Sequence, residues 1–180
     1  MFYVDNEEKL DQAVSELSKY EVIGIDLECE NNLHHYGQKL ALIQISSDDK
    51  DYVIDPITIK DLSEFKKLMH DDRITKIFHD VNFDFEVLQA LGCKPKNIFD
   101  SQLAASFLDF EKTGLKSLLE ELYNVSPEKK FQKADWTKRP LKKEMLEYAV
   151  MDTKYLIGIY HELRKRLKRE GKLSWVEEEF

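Results

Sequence analysis

Three short arrangements in this sequence could do chemistry. In Asp26-Leu27-Glu28 two carboxylates stand two residues apart at the end of an apolar run, Val22-Ile23-Gly24-Ile25. On a strand, positions i and i+2 point to the same face, so the two acids project together. Such a pair is a candidate ligand set for a hard cation; on an edge strand it would be a solvated acidic surface and nothing more. In His79-Asp80-Val81-Asn82-Phe83-Asp84 a short apolar strand runs into a helix. Either Asp80 or Asp84 could serve chemistry, the other being a charge favoured at the helix N-terminus; Asp80 and Asn82 are also the candidate N-caps. In the third arrangement Tyr148 and Asp152 lie four residues apart on the apolar stripe of a long helix, one turn from each other. An acid on such a stripe costs free energy unless something pairs with it. Asp152 is therefore either bonded to the backbone or lines a cleft and binds a cation, with the Tyr148 phenol converging on the same point.

Around these residues the pattern reads as strands over 22–28, 40–46 and 51–54, the last two joined by a polar hairpin turn, Ser47-Asp48-Asp49-Lys50. A helix follows over 61–69, with Asp61 and Ser63 as start signals, then a strand over 74–78 and a helix over 82–91 closed by Gly92. Ile98-Phe99 leads into a helix over about 101–110, another spans 114–123, and Pro140 opens one long helix to Arg169. Strands first and helices later predict an α/β fold, a mixed sheet with helices packed on it. With 180 residues, 42% hydrophobic and 34% charged, the chain suits a single globular domain over 1–180. It has no apolar run near the ~18 residues of a membrane span. Its two cysteines make no disulfide framework, so a reducing, cytoplasmic setting is expected. Cys29 has no histidine at a recognisable spacing and is not a credible nucleophile.

Asp26-x-Glu28, His79-x-x-x-x-Asp84 and Tyr148-x-x-x-Asp152 together resemble the three motifs of the DEDD 3′–5′ exonuclease superfamily, in its DEDDy branch. Leu42-Ile43-Gln44-Ile45, Phe99-Asp100-Ser101-Gln102-Leu103-Ala104-Ala105 and the stretch from Gln132 to Leu141 are similar to the ribonuclease D group. The resemblance implies an RNase H-like fold. It selects Asp84 over Asp80 and makes Asp26, Glu28, Asp84 and Asp152 ligands of two divalent cations, Mg²⁺ or Mn²⁺, with Tyr148 orienting the attacking water. The ions would offset the mutual repulsion of four acids, activate a water and stabilise the leaving 3′ oxygen. The implied reaction is hydrolysis of single-stranded or short RNA from its 3′ end. A DNA 3′–5′ exonuclease and a non-catalytic RNA-binding module are the alternatives.

The net charge of −8 alone argues against a polyanionic partner. Residues 129–143, however, hold seven basic residues against one acid, with Trp136 among them. Lys133, Lys138 and Arg139 are expected to contact phosphate there, with His79 beside the cleft. Arg164 to Arg169 reads as the exposed basic end of the last helix. Against the ribonuclease D resemblance, a chain of this length is expected to be the catalytic domain without the helical nucleic-acid-binding domain that usually follows it. Short oligoribonucleotides, homo-oligomers or a partner protein are then the ways to capture RNA.

Overall fold

The computed structural model describes residues 1–31, 33–128 and 130–179. Six strands form one sheet: β1 (Phe2–Val4), β2 (Val22–Asn31), β3 (Gln38–Ser46), β4 (Asp51–Ile54), β5 (Thr75–Phe78) and β6 (Ile98–Asp100), in the order β1-β4-β3-β2-β5-β6. β3 runs antiparallel to both of its neighbours, while the pairs β1–β4, β2–β5 and β5–β6 are parallel. The helices are α1 (Glu7–Leu17), α2 (Ser63–His70), α3 (Val81–Ala90), α4 (Ser101–Ser106), α5 (Leu115–Tyr123), α6 (Lys143–Lys154), α7 (Leu156–Arg169) and α8 (Leu173–Glu177). Among the described residues, no helix is long and apolar enough to cross a membrane.

β2 is central and obeys the strand period. Ile23, Ile25 and Leu27 face one side, and with Ile43 and Ile45 of β3 they pack into the core that includes residues of α1, α2 and α3. Burying each such side chain contributes about 1.5–3 kcal/mol. Gly24, Asp26 and Glu28 face the other side, which α6 and α7 cover. On that face the cross-strand pairs are Gly24–Ser46, Asp26–Gln44 and Glu28–Leu42.

The expected helix from Pro140 to Arg169 is two helices. The break at Tyr155 lies over β2, where a Cβ on Gly24 would come within 3.0 Å of both Leu156 Cβ and the Thr153 carbonyl oxygen. The hydroxyl of Thr153, buried beneath the break, is 2.7 Å from Ser46 Oγ. Gly24 and Ser46 are partners across the sheet, so two small residues form the seat on which the helix breaks. The expected helix over 101–110 ends at Ser106. β1, α1 and α8 lie in stretches that the sequence reading left unassigned, although Asn6 caps α1, accepting from Lys9 N at 2.9 Å.

Candidate active site

β2 carries Asp26 and Glu28 in the middle of the sheet. β5, parallel to β2 and beside it, delivers the chain to α3 and hence Asp84. The seat at Gly24 and Ser46 holds Thr153, near the end of α6 and one residue beyond Asp152. Carboxylate oxygens of Asp26, Glu28 and Asp152 lie within 4.8 Å of one another, all on half-buried residues. Asp84, 6% exposed, adds its charge to the surroundings of Asp26 and Glu28.

Crowding and burial oppose ionisation here. Burial, then Asp84, Asp152 and Glu28, holds the Asp26 carboxyl well above the ordinary range. Glu28 is pushed up to about 8 by burial and by Asp152 and Asp84. Asp84 is raised to about 7 by burial, with Asp80 and Asp100 adding to it, and Asp152 to about 6 by burial. The Tyr148 phenol is pushed up to about 12 by burial and by the charges of Asp152, Glu28 and Asp26, so it stays protonated. Its ring sits 5.6 Å from Phe131 and 6.2 Å from Trp136, centroid to centroid. Beside Tyr148 and Asp152 opens a cleft of ≈ 390 Å³, whose lining includes Val125, Lys130, Phe131 and Met151. Burial raises the Cys29 thiol to about 12, which leaves it inert.

A hard divalent cation fits this donor set. The ligand atoms are all carboxylate oxygens, they converge from separate elements, and among the described residues no cationic side chain offsets their charge. The side-chain amide of Gln44, opposite Asp26 on the same face, is fully buried with neither polar atom bonded to protein, which suits a hydrated ion nearby.

Asp100 is a positioning residue that sequence reasoning missed. Its carboxylate caps α4 through Gln102 N and Leu103 N, and it also accepts from Asp80 N and Val81 N at 3.0 Å each. Asp80, read as a candidate N-cap, makes no side-chain cap bond and takes a left-handed φ of 63°. Asp100 thus fixes the start of α3 and with it Asp84. The Asp-Ser-Gln spacing signalled only the nearer helix.

Two of the expected phosphate contacts are corrected. All five guanidinium N–H groups of Arg139 are engaged: Nε and Nη2 grip the Asp55 carboxylate at 2.5 and 2.7 Å, Nη1 donates to the carbonyls of Trp136 and Lys138, and Nη2 also donates to Ala41 O. Ala41 is the residue the β2–β3 register skips, so Arg139 satisfies a carbonyl at a bulge. Arg139 is a strut, with no donor left for phosphate. His79 is half-buried and donates from Nδ1 to Ser101 Oγ at 2.9 Å, the Ser101 hydroxyl being spent on Phe78 O. Burial lowers its pKa to about 4, so it offers no cation at neutral pH. Lys133 and Lys138 are exposed, and Lys130 Nζ lies over the Phe131 ring at 5.3 Å. Lys129 lies outside the described residues. At the basic end of α7, Arg166 pairs with Glu162 at 2.8 Å, as a helix end would.

A mixed sheet in which one antiparallel strand joins parallel neighbours, with acids on its central strand and its flanking helices, defines an RNase H-like exonuclease fold. A 3′-5′ exonuclease family matches residues 1–168, and the chain belongs to that family. It is 36% identical over 179 residues to a ribonuclease D of Desulfotalea psychrophila, covering 98% of this chain and 48% of the relative. The structure of Escherichia coli RNase D superposes with a TM-score of 0.92 at 30% identity, over 98% of this chain and 48% of the other. Brucella melitensis NrnC, solved with bound Mg²⁺, gives 0.81 at 30% identity, over 98% and 85%. The chain thus spans about half the length of the ribonuclease D chains it matches.

Proposed function

We propose that residues 1–180 act as one cytoplasmic, metal-dependent 3′–5′ exoribonuclease domain that trims single-stranded or short RNA. The observation that carries this reading is the convergence of Asp26, Glu28 and Asp152 within 4.8 Å, with the charge of Asp84 bearing on the first two. Asp26, Glu28 and Asp152 would hold one Mg²⁺ or Mn²⁺, and Asp26 with Asp84 a second. Bound there, the cations would sharpen a water for attack and stabilise charge on the departing 3′ oxygen. The protein's own groups do the rest. Tyr148, protonated and wedged against Phe131 and Trp136, donates its O–H to orient the attacking water and does not act as a base. The cleft beside it, rimmed by Lys130 and lined by Phe131 and Met151, receives the terminal nucleoside. Lys133 and Lys138 meet the backbone phosphates upstream. The relatives named for ribonuclease D favour RNA as the substrate.

The test is digestion of 5′-labelled RNA and DNA of several lengths with Mg²⁺, Mn²⁺ or EDTA. The expected result is an RNA ladder that shortens from the 3′ end and vanishes in EDTA. Internal cuts, or products unchanged by EDTA, would overturn the proposal. Equal cleavage of DNA would remove its sugar preference.

A further inference from the structure

A second group of metal-binding side chains lies outside the acidic site. It joins the turn after β2 to the basic segment more than a hundred residues later. Glu30 is 3% exposed. Its Oε1 accepts from Leu33 N and His34 N, both at 2.6 Å, and from His35 N at 3.3 Å, while its Oε2 faces His34 Nδ1 at 3.0 Å. Asp135 repeats the arrangement. Its Oδ1 accepts from Thr137 N at 3.1 Å and Thr137 Oγ1 at 2.6 Å, and its Oδ2 faces His35 Nε2 at 3.4 Å. In both residues one carboxylate oxygen is tied down from outside, and the other is aimed at an imidazole. Ligand atoms of Glu30, His34 and Asp135 lie within 4.8 Å of one another.

We propose that Glu30, His34, His35 and Asp135 form a zinc-type cation site that ties the β2–β3 turn to the segment bearing Lys133 and Lys138. Ligand atoms held tetrahedrally at about 2.0–2.1 Å from one ion are about 3.4 Å apart. Within each imidazole–carboxylate pair the spacing is already that or less; Glu30, His34 and Asp135 lie within 4.8 Å of one another, and His35, outside that group, swings in from its contact with Asp135 to complete the set. Main-chain amides on the free end of each carboxylate are the supporting shell that fixes a ligand's direction. Two carboxylates and two neutral imidazoles balance a divalent charge. Mixed nitrogen and oxygen donors favour Zn²⁺ or Co²⁺, whereas the oxygen-only set at Asp26 favours Mg²⁺ or Mn²⁺. The imidazoles, 31% and 56% exposed, leave a route in for the ion. Lys138, 3.6 Å from Asp135 Oδ2 and 79% exposed, is free to swing away. Asp135 directly precedes Trp136, so an ion here braces the wall that packs on Tyr148. The site is independent of the proposed reaction.

The test uses the full chain without a polyhistidine tag, saturated with Mg²⁺ and titrated with Co²⁺ as the optical probe. The expected result is one equivalent bound, with the intense d–d absorption of a four-coordinate ion, and displacement by Zn²⁺. His34→Ala and His35→Ala should each weaken binding by at least about tenfold, while Asp26→Asn leaves it intact. Glu30 also holds three main-chain amides, so the two imidazoles carry the test. Absence of the band, a band that survives both histidine substitutions, or a band lost in Asp26→Asn would overturn the assignment.

Discussion

Tyr148 separates orientation from proton abstraction at the scale of one residue. Burial and three neighbouring carboxylates hold its proton on to about pH 12, so at neutral pH the phenol keeps its O–H to donate and does not act as a base. Tyr148→Phe keeps the ring between Phe131 and Trp136 and removes the donor. Turnover should fall about tenfold to a hundredfold, with the half-saturating Mg²⁺ concentration unchanged. Wild-type turnover would take Tyr148 out of the mechanism. Its place beside Asp152 was legible in the sequence because i and i+4 on a helix face one another wherever the helix goes. The same holds for Asp26 and Glu28 on a strand. Arg139 and His79 were not legible as struts. Whether a basic group is free depends on a partner that spacing does not reveal: Asp55 lies 84 positions from Arg139, and Ser101 lies 22 from His79.

The break between α6 and α7 does at the scale of elements what spacing does at that of residues. The apolar stripe runs through Tyr155, so periodicity alone predicts one helix. The interruption comes from outside, where Gly24 and Ser46 admit Thr153 and Leu156 against the sheet. Gly24 is two residues from Asp26, and Thr153 is next to Asp152, so this seat registers the third motif against the first. Gly24→Ala places a Cβ 3.0 Å from the Thr153 carbonyl and pushes the end of α6 off β2. Steady-state kinetics should show kcat lower by about tenfold to a hundredfold, with a raised Mg²⁺ requirement and the fold retained by circular dichroism. Unchanged kinetics would mean that α6 is registered elsewhere. β3, β4, β5 and α3 were read closely because their punctuation is local. α1 was within reach too, since Asn6 followed by Leu10, Ala13, Val14 and Leu17 spells a capped amphipathic helix.

The net charge of −8 changes meaning at the scale of the whole molecule. Four of the negatives crowd one face of β2, and two divalent ions would halve the total. Raised carboxyl pKa values also tie stability to pH. From about pH 6.5 to 8 the folded, metal-free protein still holds protons on Glu28 and Asp84 that the unfolded chain has released. Stability in EDTA should therefore fall as pH rises through this window. His79, lowered to about 4, is neutral in the folded protein, and its unfolded form sheds its last protons by about pH 7.5, a smaller opposing slope at the low end; Lys76, lowered to about 8 by burial, begins to bring the opposite slope at the upper end. Thermal melts in EDTA should show Tm decreasing across the window, and Mg²⁺ should raise Tm more at the alkaline end. A Tm that rises with pH in EDTA would contradict the crowded-carboxylate account.

The most direct measurement pairs hydrolysis with melting in Asp26→Asn. This substitution removes a charge that Asp84, Asp152 and Glu28 oppose while keeping nearly the same shape. The account predicts that RNA hydrolysis and the Mg²⁺-induced rise in Tm are both lost, while Tm in EDTA at about pH 8 rises above that of the unsubstituted protein. Retained hydrolysis with a normal Mg²⁺ response would contradict it.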